Sequence, residues 1–194
     1  MCVRALCPLS AIPHSVPGIE NFGSATLNTM NQPVTFNLFF PFDEDGFLAL
    51  VAPDHYSGFV APDWTLAQLM DRFVEQMNLE NAFVAYPGDD FADEPFHLVD
   101  QHGAGRVIRE ASGMLRVGDA GLRLTSYTQL TMAAQFPDEA AADPRNSLRL
   151  PCAPGVYRLS LREFSGVEPA FELEIRPADN AAPVIHDAVP WFGR

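Results

Sequence analysis

Two imidazoles and a carboxylate fall within one short stretch, His97-x-x-Asp100-x-His102. On a strand followed by a turn, that spacing offers two ligands to a metal such as zinc. The third ligand is not visible in the sequence. His97, Asp100 and His102 are therefore weak metal candidates, and the first residues to substitute if the chain is an enzyme. Asp54-His55 is a smaller pairing of the same kind. Nucleophilic catalysis has no anchor, because G-x-S-x-G does not occur. Cys152 lies between Pro151 and Pro154 with no histidine nearby in sequence, and reads as a small buried hydrophobe. A phosphate loop needs a lysine, and the chain has none. No catalytic residue is assigned and no cofactor is implied.

Carboxylates cluster twice, at Asp43-Glu44-Asp45-Gly46 and at Asp89, Asp90, Asp93 and Glu94. Neither has the spacing of a calcium loop ending in glutamate. Solvated turns are the plain reading. Aromatic residues crowd the first third of the chain, among them Phe36, Phe39, Phe40, Phe47, Tyr56 and Trp64. Most belong to a core. Because Phe39-Phe40 breaks the alternation, some are expected to face outward, and an apolar patch ringed by carboxylates is a protein-binding surface. Asp43, Asp45, Tyr56, Trp64, Asp89 and Asp90 are the partner-binding candidates.

These residues must be held by strands. Val156–Glu163 and Phe171–Arg176 alternate apolar and polar residues, with Pro154-Gly155 turning into the first run. Tyr157, Leu159, Leu161, Phe171, Leu173 and Ile175 are expected inward. Arg158, Arg162, Glu172 and Glu174 are expected on a wet face, paired across strands for about 0.2–1 kcal/mol each. Earlier strands are Val34–Phe40, Phe47–Ala52, Ala82–Tyr86 and Phe96–Val99. Met114–Ser126 reads as a hairpin turning at Gly118–Gly121, and Leu130–Gln135 as a continuation of the sheet. One helix is expected over about 66–78. Thr65 and Gln68 form its capping box, and Leu66, Leu69, Met70, Phe73 and Met77 form its apolar stripe.

The fold expectation is a mainly β, antiparallel β-sandwich or barrel-like domain with one packed amphipathic helix. It occupies residues 30–178. A proline-containing C-terminal tail follows at 179–194. Residues 1–29 show no periodicity and read as an extended or disordered arm, or as an artefact of start choice with Met30 the true start.

Composition narrows the function. The 194 residues are 47% hydrophobic, enough for one good core. No apolar run approaches the roughly 18 residues of a membrane helix. All 12 basic residues are arginine, as a genome rich in G and C would give, and 25 acids leave a net charge of −13. Such a chain is repelled by phosphate, so direct nucleic-acid binding is not expected. Three cysteines without C-x-x-C pairing suit a reducing cytoplasm, and the start is too short for a signal peptide. The stretch SLRLPCAPGVYRLSL, Ser147 to Leu161, resembles a strand–turn–strand near the ends of small bacterial β-sandwich proteins, some nuclease inhibitors and toxin-immunity proteins among them. It carries no functional signature. The resulting expectation is a non-catalytic acidic binding or accessory protein, inhibitor- or immunity-like toward a basic protein partner. The alternative is a small hydrolase or metal-dependent enzyme using the His97–His102 segment.

Overall fold

The computed structural model describes residues 35–38 (backbone only), 45–89, 91, 96–102, 105–167, 170–178 and 181–192. The arm at 1–29 and the candidates Asp43 and Asp90 lie outside the described residues. The elements in chain order are β1 (Thr35–Leu38), β2 (Leu48–Val51), α1 (Leu66–Asn78), β3 (Ala82–Ala85), β4 (Phe96–Val99), β5 (Val107–Val117), β6 (Leu122–Thr125), α2 (Tyr127–Gln135), β7 (Leu148–Leu150), β8 (Gly155–Phe164) and β9 (Phe171–Pro177). They fall within one compact unit, Pro33–Arg194.

The strands make two sheets, ordered β1-β4-β9-β8-β5 and β3-β2-β6-β7. Pairing is antiparallel except between β4 and β9. The sheets are packed as a sandwich, and among the described residues neither closes into a barrel. Phe83 of β3 lies directly against Gly113 of β5, where a side chain would collide with its ring. That contact joins the sheets. Leu48, Leu50, Leu115, Leu122, Leu124, Leu159, Leu161 and Leu173 are among the buried core.

Helix α1 forms where its cap and stripe place it. The Thr65 hydroxyl accepts from Gln68 N–H, and Gln68 Oε1 accepts from Thr65 N–H at 2.8 Å. Leu69, Phe73 and Met77 are buried against β3 and β5. Leu66, the first residue of α1, departs from the expected stripe and is 60% exposed. The burial of such side chains, about 1.5–3 kcal/mol each, holds the helix more than its propensity does.

Three expectations need correction. Leu130–Gln135 does not continue a sheet, because it belongs to a second helix, α2. Ser126 caps α2 by accepting from Gln129 N–H at 3.1 Å, and Leu130, Ala133 and Ala134 turn inward. Met114–Ser126 is not a hairpin. β5 lies in one sheet and β6 in the other, so Gly118–Gly121 carries the chain across the sandwich. Asp54 fixes that crossing by accepting from Ala120 N–H at 2.8 Å. Finally, the outer face of β8 and β9 is not wet. Ser160, Arg162, Glu172 and Glu174 are all buried.

The segment Ala181–Phe192 lies against the body. Asn78, at the end of α1, holds His186 through both backbone groups: Nδ2 donates to His186 O and Oδ1 accepts from His186 N–H. Val189 and Phe192 are buried. Among the described residues, no helix is long and apolar enough to cross a membrane.

Candidate functional site

Two places combine polar chemistry with access. The first is built where β3 ends. Tyr86 N–H donates to Pro190 O, and Phe192 N–H donates to Tyr86 O, so the C-terminal segment adds a short parallel bridge at Tyr86–Trp191. This occupies backbone groups at the end of an edge strand that would otherwise be open to pairing. It also lays Trp191 on Tyr86, ring centroids 3.9 Å apart and stacked. Phe47 supports both rings, edge-on to Trp191 at 5.8 Å and tilted to Tyr86 at 4.9 Å. Tyr127, at the start of α2, stacks on Phe47 at 4.5 Å. Phe47 is buried, whereas Trp191 remains 57% exposed.

Two carboxylates border these rings. Asp89 accepts from the Tyr86 hydroxyl. Asp45 accepts from Thr128 Oγ1 at 3.4 Å. Burial, and then the charge of Asp45, hold the Tyr127 phenol above its ordinary pKa. The two acidic turns meet at glycine. Gly46 has φ +70°, and a β-carbon there would run into the carbonyl of Gly88. Only glycine allows this approach. Asp45 and Asp89, distant in sequence, thus border one patch. Both are exposed.

The other partner-binding candidates are elsewhere. Tyr56 lines a cavity of about 250 Å³ between the loop after β2 and α2, with Ser57, Gly58 and Ala133. Its hydroxyl is buried without a hydrogen-bond partner among the described residues, and burial pushes its pKa above the ordinary phenol value. Trp64 is half-buried ahead of α1.

The second place is the outer face of the five-stranded sheet. Register aligns His97, Glu172, Arg162 and Glu110 in one row across β4, β9, β8 and β5. Arg162 contacts three carboxylates: Glu172 Oε1 and Glu110 Oε1 at 3.2 Å each, and Glu174 Oε2 at 2.7 Å. The Glu174 contact is the closest of the three. Burial opposes the charge of Arg162, and these carboxylates more than offset it, raising its pKa. Arg176 Nε approaches Glu174 at 2.9 Å. Arg158, by contrast, sits opposite Arg176 rather than a glutamate.

His102 reaches this row. Its Nδ1 is 3.2 Å from Glu172 Oε1, and its ring stacks on Phe164 with centroids 5.9 Å apart. An open recess of about 720 Å³ lies above, lined by Asp100, Gln101, His102, Arg162, Glu174 and Arg176. A carboxylate held by an arginine and holding an imidazole is an arrangement that orients a general base. His97 takes the register position beside Glu172. Among the described residues, no three histidine, cysteine, aspartate or glutamate side chains converge as a metal set. Cys152 is half-buried, and burial pushes its thiol up to about 11, which disfavours a reactive thiolate.

Sequence reasoning missed Trp191, Tyr127, Glu172 and Glu174 as site residues. The available signal for Trp191 was an aromatic pair at 191–192 after a proline, which does not say where the segment lands.

Fold and site together define a mainly β protein of two packed sheets with an aromatic and acidic patch at one end. No known protein family matches the chain, and no match is found among curated proteins. Among solved structures the chain is similar to a protein described as crocagin biosynthetic gene J. The TM-score is 0.41 at 9% identity, covering 75% of this chain and 95% of that one. At that level the likeness extends to neither activity nor site residues.

Proposed function

We propose that the chain acts by binding, offering the Tyr86–Trp191 stack and the neighbouring Asp45 and Asp89 to a basic protein partner. One observation carries this reading: an exposed tryptophan is fixed, by backbone hydrogen bonds, against a second ring that itself orients a carboxylate. Aromatic anchors are enriched at interface centres, with charged groups at the surrounding rim. The net charge of −13 steers basic partners toward the surface. An inhibitor- or immunity-like role follows naturally from such a surface.

The test is affinity capture from source lysate with the immobilised full chain at several salt concentrations, beside an Asp45→Asn/Asp89→Asn/Trp191→Ala variant. A basic protein should be retained at low salt by the wild type and lost from the variant. If nothing is retained at low salt, or the variant retains the same protein equally, the reading is wrong.

A second reading, a small hydrolase or metal-dependent enzyme, is favoured by the Arg162–Glu172–His102 chain facing an open recess. Metal analysis of purified protein separates the two. Stoichiometric metal that disappears in His97→Ala/His102→Ala supports the enzyme; metal-free wild-type protein with no hydrolytic activity removes it.

A further inference from the structure

We infer that the patch selects arginine over lysine in its partner, so that its ligand is a guanidinium laid on the open face of Trp191. The inference rests on the binding reading above and specifies its chemistry. One face of the indole is covered by Tyr86 at 3.9 Å, and the residue remains 57% exposed. That leaves a flat aromatic platform rather than a cage.

A planar, weakly hydrated guanidinium stacks on such a surface and keeps its in-plane N–H groups available to carboxylates at the edge. A compact, strongly hydrated ammonium must shed water to approach the same face and gains less from a single ring. Asp89 adds negative charge beside the stack, on the Tyr86 side of the indole. The Tyr86 hydroxyl orients its carboxylate beside the ring that Trp191 covers, without neutralising its charge. Asp45, across the glycine contact, adds negative potential on the neighbouring turn.

The platform is rigid before a ligand arrives. The strand-like bridge fixes the Trp191 backbone on both sides, through Pro190 O and Phe192 N–H. Phe47 packs against its ring edge. Preorganisation of this kind lowers the ordering cost of association.

The experiment compares an arginine octapeptide with a lysine octapeptide of equal charge, titrated by calorimetry into the full chain at low ionic strength. The expected result is tighter arginine binding by up to about two- to fivefold, the whole of one exposed cation–π contact being the upper bound for a single platform. Trp191→Leu should make the two peptides equal, while Trp191→Phe should keep part of the preference. Circular dichroism checks that both variants fold, which the exposure of Trp191 favours. If both peptides bind wild type equally and Trp191→Leu weakens both, arginine selection is wrong and the binding reading stands. An arginine preference that survives Trp191→Leu also overturns the inference, since it arises elsewhere. If neither peptide binds more tightly to wild type than to Asp45→Asn/Asp89→Asn, the binding reading fails with it.

Discussion

Arg162→Met tests whether the outer face of β8 and β9 is buried, as the structure has it, or solvated, as alternation alone suggests. Methionine keeps most of the side chain's length and apolar stem while removing the charge. Two of the three carboxylates that contact Arg162 have nearly inaccessible side chains, Glu172 at 6% and Glu174 at 2% exposure, and Glu110 is 42% exposed. Breaking a solvated pair costs about 0–1 kcal/mol. Breaking a buried one costs about 3–5 kcal/mol, because it strands a charge in a poorly hydrated place. The low end applies here. Glu174 keeps Arg176 at 2.9 Å, and Glu172 keeps His102 at 3.2 Å. The expected loss is therefore about 3 kcal/mol. In urea unfolding with a slope of about 2 kcal/mol per molar, that moves the midpoint down by roughly 1.5 M. A shift below about 0.5 M would refute the reasoning, since it is what an exposed pair gives. Arg162→Met/Glu172→Met/Glu174→Met removes the stranded charges as well and should recover most of the loss. If that variant is as unstable as the single one, the loss comes from packing rather than from uncompensated charge.

Burial, partly offset by Asp187, holds the His186 imidazole below its ordinary pKa of about 6.5. The unfolded chain then binds more protons than the folded one below that pH. His186 should therefore contribute stability that is present above about 6.5 and lost as pH falls through the folded value. Thermal melts from pH 7 to pH 5 should fall more steeply for wild type than for His186→Phe, and the opposite order would contradict the assignment. Gly46→Ala places a β-carbon against the Gly88 carbonyl at a positive φ. It should cost at least about 1 kcal/mol by the strain rule and weaken basic-peptide binding by separating the two acidic turns; unchanged stability and affinity would show that the turns do not depend on that contact.

The legible parts of the fold were those set by local period. The runs at Val156–Glu163 and Phe171–Arg176 reappear as β8 and β9 within a residue or two at each end. The Thr65–Gln68 box marked the start of α1 because both partners lie within one turn. Period two, however, assigns a residue to a side of the sheet without saying what covers that side. Glu172 and Glu174 alternate as solvent-facing residues should, yet His102, 70 residues away from Glu172, turns back over the row. Leu130–Gln135 mixes apolar and polar residues at both periods, so its alternation does not separate strand from helix, and the deciding signal for α2 is the Ser126 cap. Asp45 and Asp89 were legible as acidic turns. Their meeting depended on a glycine contact between strands, and the ring that completes the patch arrives from the far end of the chain.

The two candidate places differ in how their charges are already answered, and this difference favours the Trp191 patch in the proposed binding role. On β8 and β9 the carboxylates close on Arg162 and Arg176 within a buried row, so a cation entering there has to displace an arginine from a partner at 2.7–3.2 Å. Such a row specifies how the strands align, and what it costs in desolvation is offset by contacts within the protein. At Trp191 the balance runs the other way. Asp89 is exposed and its hydroxyl partner orients the carboxylate without cancelling it. An approaching basic residue there meets a ring whose opposite face is already packed. The acidity of the chain therefore meets an exposed aromatic surface fixed by the fold at this patch. The C-terminal segment creates that coincidence: without Pro190, Trp191 and Phe192 on Tyr86, the patch would keep its acids and lose its platform.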